Sequence, residues 1–123
     1  LSASQVHDLD LSLILLGQPE LLPQIQRVPA LCDRVAVRAA IQPLRREETI
    51  DYIRHRLRVS GLDGCMFDAA ALQSFAALSG GVPRRINQLC DLALLVGFAD
   101  RLPTITRAEI QAAAEELTNV SLD

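Results

Sequence analysis

The stretch SGGVPRRINQLCD, residues Ser79–Asp91, joins a glycine-rich turn to the start of an apolar helix. Proline suits the first position of a helix, so Pro83 marks its start, and apolar residues follow at helical spacing from Ile86 onward. Arg84 and Arg85 therefore fall in the first turn. The helix dipole is already positive there, and a cation costs a few tenths to about 1 kcal/mol. We expect an anionic ligand to offset this charge.

The composition indicates a helical protein and disfavours nucleic-acid binding, although local arginine patches stay possible. Half of the 123 residues are apolar, only 3% are aromatic, and the net charge is −3. All 12 basic residues are arginine, so no lysine can bind phosphate or act as a base in this chain. The cysteines and histidines show no metal-ligand spacing, and we expect no metal site. The longest apolar run, LALLVGFA, is far short of the roughly 18 residues of a membrane span.

Four helices are predicted in the second part of the chain, residues 45–123. Apolar residues recur there at helical spacing, and the boundaries carry capping residues: Asp68 before one helix, and Thr106 with Glu109 as a capping box before the last. The predicted helices are residues 47–59, 69–78, 83 to about 98, and 107 to about 117.

The first part of the chain, residues 1–44, is predicted to be a small α/β section. Leu11–Leu16 and Val35–Ile41 read as strands, with short proline-interrupted helices between them. Strands that are buried on both faces need neighbours, and two strands alone are marginal. The sequence is therefore expected to be a section of a larger domain.

Four segments, in this order and spacing, resemble the second half of an AAA+ ATPase of the general secretion pathway protein A type: LGQPEL, CDRVAVR, PLRREETIDYIRHRL and SGGVPRRINQLCD. The resemblance covers about Leu11–Leu117. It implies that residues 1–44 are the end of the α/β nucleotide-binding core and that residues 45–123 are the α-helical lid. It also implies that the two strands are separated by a central strand from outside this chain, unless they pair directly in a rearranged sheet.

The resemblance implies a role for four residues. Gln18, just after the first strand, lies where the family places sensor 1, which positions the attacking water. Arg34 lies where the arginine finger sits, which reaches the ATP of a neighbouring subunit. Arg84 lies at sensor 2, which touches the γ-phosphate, although Arg85 is adjacent and the assignment could shift by one residue.

The resemblance further implies that the full-length protein binds ATP and Mg²⁺ and uses hydrolysis to assemble or remodel a secretion or pilus system. It would self-associate into an oligomer and meet membrane proteins of that system, from the cytoplasm or the inner-membrane face. The P-loop and the acidic Mg²⁺-binding motif that follows it are absent from these residues. This chain alone is therefore expected to be inactive and to hold no cofactor.

Two other functions stay open: a helical protein-interaction module without nucleotide chemistry, and an accessory domain of a DNA-binding, transposition-type ATPase. The acidic net charge disfavours the second. Each site residue also has a purely structural interpretation: Gln18 as a strand end, Arg34 in a surface ion pair with Asp33 or Asp8, and Arg84 with Arg85 as a solvated helix start offset by Asp91.

Overall fold

A computed structural model describes residues 11–62 and 66–120, and this part of the chain is mainly helical, with six α-helices. The contacts between residues divide the chain into two compact units, Leu1–Ile41 and Gln42–Asp123. Their assignment as the end of an ATPase core and as a lid stays a prediction.

The first unit contains two short helices, α1 (Leu21–Gln26) and α2 (Pro29–Cys32). Pro29 occupies the first position of α2, where its missing N–H costs nothing. Neither helix has a buried residue. The two helices confirm the prediction of short helices in this segment. Because neither buries a residue, they do not form a core.

The two predicted strands are not formed. Neither Leu11–Leu16 nor Val35–Ile41 is a strand, and no described residue pairs its backbone with Leu13 or Val37. The side chains are left in solvent, with Leu13 75% and Val37 82% exposed. A strand persists only when its backbone groups pair and its apolar faces are covered. The described residues supply neither, so the small α/β part is not seen.

The second unit consists of four helices, which confirms the predicted pattern to within a few residues at each end. They are α3 (Arg46–Val59), α4 (Ala69–Ser79), α5 (Pro83–Ala99) and α6 (Arg107–Val120). Helix α4 is the central element, because it packs against each of the other three.

Helix α4 begins and ends where the sequence predicts. The Asp68 carboxylate accepts the backbone N–H of Ala71 at 2.7 Å, which satisfies one of the unpaired donors of the first turn. The helix ends at Gly80, whose φ of 61° lies in the left-handed region that glycine adopts without strain.

Glutamates hold the first turns of α3 and α6. Glu48 accepts the backbone N–H of Arg45 at 2.8 Å and forms an ion pair with its guanidinium at 3.1 Å. Glu109 accepts both the backbone N–H and the hydroxyl of Thr106, each at 2.7 Å. The hydrogen bonds from Arg45 and from Thr106 lower the pKa of Glu48 and of Glu109, respectively, below the usual carboxyl value.

The core of the second unit is formed by one buried side-chain cluster from all four helices and from the segments flanking α4 and α6. Phe67 and Phe75 meet edge to face, with ring centroids 4.8 Å apart. Beside them, Phe67 and Ile105 form an isolated parallel β-bridge. The buried apolar members are Ile53, Leu57, Phe67, Ala71, Leu72, Phe75, Ile86, Leu89, Ala93, Ile105, Ile110 and Ala113.

The end of α5 differs from its sequence pattern. Phe98 continues the apolar spacing of the helix, yet it is 85% exposed. The inward position is taken by Gly97, which is buried against the side chain of Ile105. The small residue allows this close approach, and Phe98 is turned away from the core.

Candidate functional site at the start of helix α5

The turn between α4 and α5 is fixed by its own hydrogen bonds. Ser79 is fully buried, and its hydroxyl oxygen accepts the backbone N–H of Gly81 at 3.2 Å. The N–H of Val82 donates to the carbonyl of Ser79 at 3.3 Å. Gly80 and Gly81 both have positive φ, at 61° and 75°. This conformation explains why two glycines precede the helix.

Gly81 also contacts the segment that leads into α3. Its carbonyl accepts the backbone N–H of Leu44 at 2.8 Å. A Cβ on Gly81 would lie 2.0 Å from the carbonyl oxygen of Leu44, so no side chain fits. The position of the turn is therefore set by a second part of the chain as well as by its own bonds.

The first turn of α5 carries positive groups that have no partner among the described residues. Val82, at the N-cap, provides no side-chain acceptor, and Pro83 has no N–H. The backbone N–H groups of Arg84 and Arg85 have no described acceptor. Both guanidinium groups are exposed, and neither forms a hydrogen bond or ion pair with a described residue. This arrangement can bind an anion such as a phosphate group.

The next turn of α5 anchors these arginines to the core. Ile86 is fully buried, and Asn87 accepts a hydrogen bond from the Tyr52 hydroxyl of α3 at 2.8 Å. No feature of the sequence marks Tyr52, Asn87 or Leu44 as parts of this site. Tyr52 and Asn87 lie 35 positions apart, and no local pattern indicates that they meet.

Gln18 and Arg34 belong to the first unit. Gln18 lies just before α1 and is exposed. Its backbone carbonyl accepts a hydrogen bond from the backbone N–H of Leu21 at 2.9 Å. Arg34 lies in the turn after α2, with an exposed side chain. It forms no ion pair with Asp33, and Asp8 lies outside the described residues. Arg84 and Arg85 belong to the second unit, so the roles of the four residues stay predictions.

Cys90 is an unreactive core thiol. It lies on α5 and is partly buried against the core cluster. Burial and the neighbouring Asp91 carboxylate raise the pKa of its thiol to about 12, so the group stays protonated at neutral pH.

Asp91 forms no ion pair with Arg84 or Arg85, which leaves their charges uncompensated within the described chain.

No group of three or more histidine, cysteine and acidic residues in the described chain has the arrangement of a metal site. None of the helices formed by residues 11–62 and 66–120 is long and apolar enough to cross a membrane.

Comparisons with known proteins place the chain beside two relatives. It is 39% identical over 113 residues to General secretion pathway protein A of Aeromonas hydrophila, and the aligned region covers 89% of this chain and 20% of that protein. It is 26% identical over 106 residues to an uncharacterised HTH-type transcriptional regulator of Methanocaldococcus jannaschii, which covers 82% of this chain and 26% of that protein. No protein-family model matches the chain, and no solved structure matches it significantly.

The chain thus spans about a fifth to a quarter of the length of these relatives. The resemblance to general secretion pathway protein A is confirmed, and over most of its length this chain is related to a section of that protein.

Proposed function

We propose that this chain is the C-terminal part of the AAA+ ATPase module of a general secretion pathway protein A-type protein. In this proposal the second unit is the lid, and Arg84 binds the γ-phosphate of ATP. The observation that carries it is the start of α5, where two guanidinium groups and two backbone N–H groups lack partners among the described residues. The 39% identity to General secretion pathway protein A supports the choice of family.

The chemistry of phosphoryl transfer fits these residue types. Catalysis there depends on positioning and on neutralising the charge of the phosphoryl oxygens. A guanidinium is planar, permanently charged and suited to two parallel hydrogen bonds to phosphate. The glycine turn and the buried Ile86 fix the backbone on either side of Arg84, so the point from which its side chain extends is set before a phosphate binds. Arg85, the next residue, is the alternative sensor.

The remaining parts of the nucleotide site lie outside this set of residues. The P-loop and the Mg²⁺-binding acidic motif would come from another section of the complete protein. ATP and Mg²⁺ supply the phosphoryl group and its charge neutralisation when bound. Gln18 would orient the attacking water, and Arg34 would contact the nucleotide of a neighbouring subunit in an oligomer. Hydrolysis would drive assembly or remodelling of a secretion or pilus system from the cytoplasmic side.

ATP hydrolysis by the complete protein tests the proposal. We expect Arg84→Ala to lower kcat about tenfold to a hundredfold, because a preorganised donor to the transferring phosphate is lost. Arg54→Ala is the matched control, since Arg54 is also an exposed helical arginine without an ion pair. An Arg84→Ala protein that folds and hydrolyses ATP at the wild-type rate would contradict the assignment. In that case, a loss in Arg85→Ala would shift it by one residue.

A further inference from the structure

Helix α4 has an outward face without a single charged residue. Its inward face buries Ala71, Leu72 and Phe75. The opposite face carries Ala70, Gln73, Ser74 and Ala77, at the i, i+3, i+4 and i+7 spacing of one helical side. Solvent-facing helix surfaces usually carry charged residues. This face is small and neutral instead, a property expected of a surface that another helix approaches.

The first residues of two other helices make this face the floor of a groove. Arg46 opens α3 and Arg107 opens α6, and both line an open cavity of about 430 Å³ over Ala70, Ser74 and Ala77. The side chains that line the groove include two arginines and no acidic residue.

Neither arginine is neutralised by a described residue. Arg46 donates to the amide oxygen of Gln73, which carries no charge. Arg107 forms no hydrogen bond or ion pair with a described residue. The acids in the first turns of these helices are Glu47, Glu48 and Glu109, and none of them lines the groove or forms an ion pair with Arg46 or Arg107. The groove therefore has two positive charges available to a ligand.

We propose that this groove docks an acidic α-helix of a partner protein, with its carboxylates on Arg46 and Arg107 and its small side chains against α4. Small floor residues let two helix axes approach closely. The charge of the groove selects the sign of the partner, and its open shape fits a helix better than a single inorganic anion. The inference does not depend on the nucleotide role of Arg84, because none of the residues at the start of α5 lines this groove.

Fluorescence anisotropy with a labelled helical peptide tests the proposal on the 123-residue chain. The probe is an alanine-rich peptide of about 20 residues, long enough to be helical, with glutamates four residues apart. We expect the glutamate peptide to bind and its glutamine counterpart to bind at least about tenfold more weakly. The Arg46→Gln/Arg107→Gln double variant should lose about tenfold in affinity, and added salt should weaken the wild-type complex.

Two matched controls make the result specific to the groove. Arg54→Gln/Arg58→Gln removes the same charge from exposed positions of α3 outside the groove and should leave the affinity unchanged. Ala77→Trp fills the floor of the groove and should abolish binding, whereas Ala112→Trp on the exposed side of α6 should not.

Four outcomes would overturn the proposal. The first two are that the glutamate peptide does not bind, or that the glutamate and glutamine peptides bind equally well. The third is that the Arg46→Gln/Arg107→Gln variant binds the glutamate peptide with the affinity of the wild-type chain. The fourth is that millimolar inorganic phosphate displaces the peptide completely. The last would indicate an anion site. If the chain binds no peptide but self-associates, and Ala77→Trp abolishes this self-association, the occupant of the groove is a second copy of the chain.

Discussion

The backbones of Leu44 and Gly81 are in direct contact. The Leu44 N–H donates to the Gly81 carbonyl at 2.8 Å, and a Cβ built on Gly81 would come within 2.0 Å of the Leu44 carbonyl oxygen. The segment that precedes α3 is thus hydrogen-bonded to the turn that precedes α5. Arg84 lies three residues after Gly81. The contact therefore also sets the point at which the Arg84 side chain leaves the backbone.

The first prediction concerns the two glycines of this turn. Gly81→Ala should lower the free energy of unfolding by about 2–4 kcal/mol, because a side chain is strained at positive φ and the hydrogen bond to Leu44 is lost as well. Gly80→Ala should cost only about 1–2 kcal/mol, since its φ is similar but no atom lies near its Cβ. Urea denaturation of the 123-residue chain measures both values. Equal costs would show that the close approach to Leu44 is unimportant.

The second prediction compares two phenylalanines. Phe75 is fully buried against Phe67, whereas Phe98 is 85% exposed. Phe75→Leu should lower the unfolding free energy by about 1–2 kcal/mol, part of the roughly 3–5 kcal/mol that removing the whole ring costs. Phe98→Leu should change it by less than about 0.5 kcal/mol. Thermal unfolding followed by circular dichroism distinguishes them, and a large effect at Phe98 would mean that this residue is covered in solution.

The third prediction concerns pH. The pKa values of Glu48 and Glu109 are lowered in the folded chain by hydrogen bonds from Arg45 and Thr106. The unfolded chain therefore binds more protons near pH 4, and stability is lost as the pH falls through the lowered pKa values. The Glu48→Gln/Glu109→Gln variant should show a smaller drop in the urea midpoint between about pH 5 and about pH 3. An identical drop in both proteins would contradict the assigned role of these caps.

The helical part of the fold was predictable because its signals are local. Asp68, Glu109 and Gly80 mark helix ends through contacts within a few residues. The strands were predicted wrongly because a short apolar run such as Leu11–Leu16 becomes a strand only beside a backbone partner. The described residues provide no such partner. A run of apolar residues indicates burial, but it does not specify the backbone partner that a strand requires.

The candidate site was predictable only in part. The charge conflict at Arg84 and Arg85 is visible in the sequence, because their place in the helix follows from Pro83. The contacts that fix the site, between Tyr52 and Asn87 and between Leu44 and Gly81, join residues 35 or more positions apart. Such pairings depend on how the helices pack, which no local pattern specifies.

The fourth prediction tests Arg34 in the complete protein. If its guanidinium acts on the nucleotide of a neighbouring subunit, an Arg34→Ala protein and a protein with a disabled P-loop should each be nearly inactive. Mixing the two should restore part of the hydrolysis rate, because some interfaces then combine an intact P-loop with an intact Arg34. Mixtures that assemble but regain no activity would show that Arg34 does not act across subunits.

The most direct test of the central claim is the affinity of the complete protein for ATP and for ADP, measured with wild type and with Arg84→Ala. The two nucleotides differ only in the γ-phosphate, the group that Arg84 is proposed to contact. We expect the variant to bind ATP about tenfold or more weakly, while its affinity for ADP changes less than about twofold. Equal losses for both nucleotides, or no loss for ATP, would contradict the proposal that the start of α5 senses the γ-phosphate.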